Sequence, residues 1–257
     1  MKSFAVRIDL ESDKGIVAGL PSLLKLFKKL NIRASFYLTM GGESTVFEIL
    51  KNRGKMKSSA QRKLKIWSFW EKVRMVLFPR DFAKKNGKIL NKILEEGHEL
   101  GLHGYKHRVW TRNLESLNIG SEINKMAKKY HKLFGREARS FTSPGFNVNE
   151  EVIEELAKRN ITHISDFNER KNYGGLENVP ITLCGENRMP FIEYWVGEGK
   201  SDEEIIEIFR KEIKEKDFVS FYLHGLFEGR FKISLLEKMI KELQKNKFKS
   251  QRIIDFQ

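Results

Sequence analysis

Cys184 is the only cysteine among 257 residues, which excludes an internal disulfide and any cysteine-rich zinc site and leaves a thiol nucleophile without support. A bound metal would therefore have to rest on His, Asp or Glu. No apolar run approaches the roughly 20 residues that a spanning helix requires. The opening Met1–Asp9 reads as a strand that begins almost at once and leaves no room for a secretory signal, so a cytoplasmic protein without a spanning helix is expected. Internal repeats, low-complexity tracts and Gly/Ser linkers are also missing. The length then fits one α/β domain of the barrel kind over residues 1–257.

What the chain has in excess is positive charge, +14 overall. An imbalance of this size suggests a polyanionic or membrane-surface partner, and its distribution decides between them. From Lys51 to Lys88 there are 13 Lys/Arg against Glu71 and Asp81, so +11 of the total belongs to one segment.

Short β-like runs alternate with amphipathic helical patterns along the rest of the chain. Strands are expected at Phe4–Ile8, Ala34–Leu38, Glu99–Leu102, Ile161–Ser165, Val179–Leu183 and Phe218–Leu223. Helices are expected at Pro21–Leu30, Glu115–Phe134, Glu150–Arg159, Ser201–Lys216 and Ser234–Lys245. The alternation predicts a largely parallel α/β sheet or barrel, with the active site just past the C-terminal ends of the strands.

Residues 42–88 break the rhythm, because a strand-to-helix connection is normally only a few residues long. Within this insertion Ile66, Phe69, Trp70, Val73 and Leu77 share one helical stripe with Trp67 beside it, while Lys63, Lys65 and Arg74 supply charge. A basic amphipathic helix with aromatic side chains on its apolar side is the pattern of a helix lying in an anionic membrane interface. The competing reading is a stripe packed on the barrel with a solvated basic face.

Four clusters fall at the ends of expected strands. Asp9, Glu11 and Asp13 crowd the end of the first, where alternation puts Asp9 and Glu11 on one side. His103 and His107 stand at i and i+4 and converge on one ion if a helix starts at His103, whereas His98 reads as structural. The loop Phe141–Asn147 contains Pro144-Gly145, and His224 follows the apolar run Phe218–Leu223, a suitable place for a general acid or base.

Taken in order, the acidic pair, the His-x3-His, the Pro-Gly loop and the Leu-x-His resemble the polysaccharide deacetylase (NodB-homology) family. The branch that deformylates 4-deoxy-4-formamido-arabinose on undecaprenyl phosphate is the more similar, through Arg7-Ile8-Asp9, Gly19-x-Pro21-x-Leu23-Leu24, Asn31-Ile32-x-Ala34-Ser35, Gly101-Leu102-His103 and His224-x3-Glu228-Gly229. The resemblance implies a distorted (β/α) barrel carrying the basic insertion. It implies a hydrolase that removes an acyl group from an amino sugar with one divalent ion, Zn²⁺ first among the expected metals. By the same resemblance Asp9 is the base, Glu11 or its neighbour Asp13 the carboxylate ligand, and His103 and His107 the other ligands. His224 becomes the general acid, Asp166 the acid that orients it, and Pro144 and Gly145 part of the substrate loop. Where many members carry Arg two residues before the loop proline this chain has Thr142, so Arg139 or Arg7 is the expected substitute partner of Asp9.

The branch also implies a lipid-linked substrate met at the inner face of the cell membrane. Trp67, Phe69, Trp70, Lys63, Lys65 and Arg74 would then touch the bilayer. Three other readings share the sequence: a deacetylase of soluble or polymeric N-acetyl sugars, a catalytically dead binder, and a nucleic-acid-binding protein. The last is the weakest, since binding nucleic acid leaves acids, histidines and loops at successive strand ends without a purpose.

Overall fold

The computed structural model describes residues 2–45, 48, 68, 70, 73–74 and 77–257. Its centre is β1, Ser3–Leu10, buried from Phe4 onward. Alternation sorts this strand cleanly: Phe4, Val6, Ile8 and Leu10 join the main core under the helices, while Ala5 packs on the other face with Tyr37, Val179, Ile253 and Phe256. Arg7 and Asp9 share the face of Ala5, and both are almost fully buried.

Around β1 lie β2 (Ser35–Leu38), β3 (Glu99–Leu102), β4 (Ser140–Phe141), β5 (His163–Ile164), β6 (Asn172–Tyr173), β7 (Leu176–Asn178), β8 (Phe218–His224) and β9 (Lys249–Ser250). The sheet runs β6-β7-β5-β4-β3-β2-β1-β8 with β9 paired to β1, and every pairing is parallel except β6 with β7. Parallel pairing brings the C-terminal ends of β1 to β5 and β8 to one rim. The fold is mixed α/β, with a sheet curled into a half-barrel. Val179–Leu183, expected as a strand, instead bridges the opening: Val179 N–H reaches Ile164 O at 2.9 Å, while Thr182 and Leu183 donate to Ser220 O at 3.0 and 2.9 Å.

The helical layer follows the amphipathic patterns. α1 (Leu20–Lys29) carries Pro21 in its first turn and buries Leu20, Leu23, Leu24, Leu26 and Phe27. Short α2 (Phe82–Lys85) leads into α3 (Gly87–Glu95), which buries Leu90 and Ile93. Then come α4 (His107–Asn113) and α5 (Ile119–Phe134), the latter capped by Asn118 and closed by Gly135 at φ 66°. α6 (Glu150–Ala157), α7 (Phe191–Gly197), α8 (Asp202–Ile213), α9 (Phe227–Phe231) and α10 (Ile233–Lys245) complete the layer.

Within the expected insertion, Lys63, Lys65, Trp67 and Phe69 lie outside the described residues. Trp70 is exposed, whereas Arg74 makes a bidentate pair with Glu43 at 2.8 and 2.9 Å. Phe82 and Ala83 are fully buried, so α2 packs into the main core.

The floor of the curl is polar where β2, β3 and β4 begin. Glu99 is buried there, accepting from Ser35 Oγ at 2.5 Å and from Ser140 Oγ, and its pKa is raised by burial against those bonds. His98 sits outside that floor as a neutral acceptor for Ala34 N–H at 3.1 Å, ringed by Phe27 and Phe36. Burial, with Arg33 and Arg252 nearby, lowers its pKa to about 4.

Candidate active site

The rim carries the four sequence clusters together. Arg7 donates to both oxygens of Asp9 at 2.8 Å and to Ser165 O at 2.7 Å, which fixes the carboxylate against the mouths of β1 and β5. The guanidinium stays charged although burial opposes it, because the Asp9 charge and hydrogen bonds outweigh that cost. Of the two expected substitutes for the missing arginine, Arg7 is the one on Asp9. Thr142 serves a different group.

That group is His103, one residue past β3. Its Nδ1 lies 2.9 Å from both Thr142 O and Thr142 Oγ1, and its Nε2 lies 3.2 Å from Glu11 Oε1 and 3.8 Å from Asp9 Oδ2. His107 Nε2 is 2.8 Å from the same Glu11 oxygen. The expected helix does not start at His103. The pair converges instead because Gly104 turns the chain at φ 66°, with Pro144 so close that an added Cβ would meet its Cγ at 2.7 Å, and α4 begins only at His107. The ligand atoms of Glu11, His103 and His107 all lie within 4.8 Å of one another, a possible metal site of two imidazoles and one carboxylate. That donor set suits a divalent ion with open coordination positions. Burial would raise the Glu11 pKa, but His107, His224 and His103 around it hold it well below the usual carboxylate range. Asp13 points elsewhere: it binds Arg80 at 2.7 Å, Lys85 at 2.9 Å and Asn86 at 2.8 Å, and these contacts outweigh its desolvation to put its pKa at about 2.

On the opposite side of Glu11 stands His224, paired in register with Asp9 at the end of β8. Its Nε2 is 3.7 Å from Glu11 Oε1, and its Nδ1 is 2.5 Å from Glu193 Oε1. Burial alone would lower the His224 pKa, but Glu193 and Glu11 raise it well above the ordinary value. The expectation that Asp166 orients His224 is thus corrected: the acid on Nδ1 is Glu193, projecting from α7 and 1% exposed. Asp166 Oδ1 accepts from Ser143 N and Oγ, both at 2.8 Å, and so fixes the loop that carries Pro144 and Gly145. In that loop Gly145 and Phe146 both have positive φ, 66° and 55°. The turn seats the Phe146 ring between Arg7 and Arg188, whose Cζ atoms lie 4.9 and 3.6 Å from its centroid.

Glu228 explains the His224-x3-Glu228-Gly229 pattern in packing terms. Its Oε2 accepts the His224 backbone N–H at 2.9 Å. A side chain at Gly229 would begin 2.6 Å from Gly19 O. Burial and the neighbouring Glu193 raise the Glu228 pKa well above the carboxylate range. Glu193 went unnoticed in the sequence, although a lone acid inside the apolar run Phe191–Val196 was a visible signal.

The comparisons with known proteins bear on the family and the fold. A probable 4-deoxy-4-formamido-L-arabinose-phosphoundecaprenol deformylase of Shewanella sediminis is 23% identical over 94% of this chain and 81% of its own length. Among solved structures, a probable polysaccharide deacetylase from Pseudomonas aeruginosa superposes with a TM-score of 0.68 at 14% identity, covering 99% of this chain and 89% of that one. A family 4 carbohydrate esterase pseudoenzyme from Bacillus anthracis has the same fold at a TM-score of 0.58 and 15% identity, and this chain spans 64% of its length. The sequence pattern described as polysaccharide deacetylase matches residues 7–164, more than half of the chain. The chain belongs to the polysaccharide deacetylase family, hydrolases of the amide bond in N-acylated sugars.

Proposed function

We propose that this chain removes a small acyl group from an amino sugar carried on a polyprenyl phosphate, at an anionic membrane surface, with one divalent ion. The observation that carries the catalytic part is the convergence of three imidazoles, His103 and His107 from one side and His224 from the other, on Glu11 beside the clamped Asp9. Glu11, His103 and His107 would hold the ion, Zn²⁺ being the first to test. Bound there, it would polarise the amide and bring the pKa of a water toward about 7.

Asp9, aimed by Arg7, takes the proton of the attacking water. His224, charged through Glu193, protonates the departing sugar nitrogen, so one proton is accepted on the β1 side and another delivered from the β8 side. The Pro144-Gly145 turn, held by Asp166 through Ser143, borders the acyl pocket. The lipid carrier is supported by the 23%-identical relative's described substrate and by the basic segment with Trp70 exposed.

Among the described residues no helix is long and apolar enough to cross a membrane. The test is deacylation of free and polyprenyl-phosphate-linked N-formyl and N-acetyl sugars, with and without chelator. Chelator-sensitive turnover that prefers the lipid-linked set is expected. Preference for free or polymeric N-acetyl sugars would reassign the substrate, and metal uptake without turnover of any sugar would make the chain an inactive binder.

A further inference from the structure

Resting on the reading of a lipid-linked substrate, we infer that the mouth of the cleft itself docks on an anionic bilayer, through a rim of apolar side chains that includes Val17 and Phe231 outside the basic insertion. Among the described residues the large apolar side chains left exposed are Val17, Trp70, Leu77, Phe78 and Phe231, at 48–76% exposure. Single exposed apolar residues scattered over a surface mean little. Four of them, Val17, Leu77, Phe78 and Phe231, are not scattered. They sit on segments that the structure ties together at one end of the molecule.

Val17 lies in a wide helical turn, Gly15–Gly19, just after the acidic end of β1. Phe231 closes α9, which begins three residues after His224. The two segments meet backbone to backbone, since an added Cβ at Gly19 would fall 1.8 Å from Gly225 O and one at Gly229 would fall 2.6 Å from Gly19 O. Glycine at both positions is what lets the turn and the helix approach so closely. Leu77 and Phe78 precede Arg80, whose side chain reaches Asp13 at 2.7 Å and whose backbone exchanges hydrogen bonds with Glu43 at 3.0 Å. Arg74 joins the same Glu43.

Every one of these segments follows the C-terminal end of β1, β2 or β8. Glu11 and His224 occupy that same end, so the apolar side chains border the cleft mouth. The neighbouring charges complement an anionic surface. Lys14, Arg80, Lys84, Lys85, Arg230 and Lys232 stand on these segments; Arg80 and Lys85 are paired with Asp13 at 2.7 and 2.9 Å and Lys232 with Asp202 at 2.6 Å, and of the acids Asp13, Glu43, Asp81 and Glu228 on or tied to these segments only Asp81 is exposed, so the balance stays positive. Apolar side chains ringed by basic ones fit the boundary between head groups and acyl chains. A substrate whose sugar hangs from a bilayer-embedded chain then needs no extraction, because the cleft opens onto the surface that holds it.

The experiment labels Val17→Cys, Phe231→Cys and, on the opposite end, Lys245→Cys with an environment-sensitive fluorophore in a Cys184→Ser background. Each protein is mixed with phosphatidylglycerol-containing or purely zwitterionic vesicles. Blue-shifted emission at 17 and 231 but not at 245, with anionic vesicles and weakening as salt rises, is the expected result. In parallel, the double variant Val17→Ser/Phe231→Ser should sediment with anionic vesicles about tenfold less well than the unmutated chain, each tenfold corresponding to roughly 1.4 kcal/mol.

Sedimentation without a shift at 17 and 231 would overturn the inference while leaving the lipid-linked reading intact, because the insertion alone would then do the docking. A shift that tracks protein concentration in the absence of vesicles would assign the rim to a second copy of the chain and also overturn it. Failure to sediment at all would sink the docking surface, and turnover of detergent-solubilised lipid-linked sugar would then decide the substrate reading separately.

Discussion

His103 and His224 face the same carboxylate oxygen from opposite sides, yet their far nitrogens meet different partners. His103 Nδ1 is bound by a backbone carbonyl and a hydroxyl, both from Thr142, whereas His224 Nδ1 is bound by the buried carboxylate of Glu193. A neutral acceptor fixes the tautomer, with the proton on Nδ1 and the Nε2 lone pair turned inward, which is what a metal ligand requires. A carboxylate does more, because in a buried setting it stabilises the imidazolium and so makes an acid. On the proposed reading one residue type thus does two jobs, and the neighbour of the remote nitrogen selects which.

The comparison breaks most severely if the ligand side is removed. His103→Ala, His107→Ala or Glu11→Gln should each lower the affinity for the divalent ion by orders of magnitude, since two imidazoles and one carboxylate leave no spare protein ligand. Metal content after dialysis is the readout, and Asp13→Asn serves as the contrast because Asp13 is engaged by Arg80, Lys85 and Asn86. Retention of metal in all three ligand variants would dissolve the proposed site.

Next in size is Asp9→Asn. A positioned base contributes about 10²–10⁴-fold, so turnover should fall by that order while the ion stays bound. Loss of the ion in this variant would instead move Asp9 into the ligand set.

On the acid side, Glu193→Gln keeps a hydrogen-bond acceptor near His224 Nδ1 and removes its charge. Turnover near neutral pH should drop by about 10- to 100-fold, with Glu193→Asp recovering part of it. The direction with pH follows from the raised His224 pKa, for which burial works downward and Glu193 and then Glu11 work upward. An ion on Glu11 would neutralise the second of these, leaving Glu193 as the main remaining cause with a smaller one from Glu228. The acid form is present below the raised pKa and lost as pH climbs through it, so the high-pH limb of the rate profile should move to lower pH in Glu193→Gln. The same sign governs stability: the His224–Glu193 pair contributes fully below the ordinary histidine value and fades as pH rises through the raised one. Identical high-pH limbs in the two proteins would separate Glu193 from the acid function.

What was legible in advance divides along the same line. The strands Phe4–Ile8, Glu99–Leu102 and Phe218–Leu223 and the rim positions of Asp9, Glu11, His103, His107 and His224 could be read, because short β-like runs, buried on both faces in a parallel sheet, and strand-end placement are local properties of the chain. Glu193 could not be paired with His224, because 31 residues and an intervening helix separate them and only the folding of α7 beneath β8 brings them together. Asp166 was misread for the complementary reason. It stands at the end of β5, where an orienting acid was expected, but the loop it braces intervenes through Ser143. The convergence of His103 and His107 was foreseen by a route the chain does not take, since a left-handed glycine substitutes for a helical turn.

The smallest expected effect sharpens the comparison most, because it touches the neutral partner alone. Thr142 stands where many family members carry arginine, and here its hydroxyl and its carbonyl both lie 2.9 Å from His103 Nδ1. Only one proton is available on that nitrogen, so the two acceptors share it and the carbonyl suffices to hold the tautomer. Thr142→Val, nearly isosteric, should therefore weaken metal binding by less than the 10- to 100-fold typical of losing a ligand's only orienting partner. Thr142→Asp tests the converse by giving His103 the kind of neighbour that His224 has, at the cost of a new buried charge. Metal titration across pH should show its affinity falling further than that of Thr142→Val as pH drops, since a protonated imidazole must lose a proton before it can bind. Equal pH dependence in the two variants would mean that the character of the remote partner does not set the role of the ring.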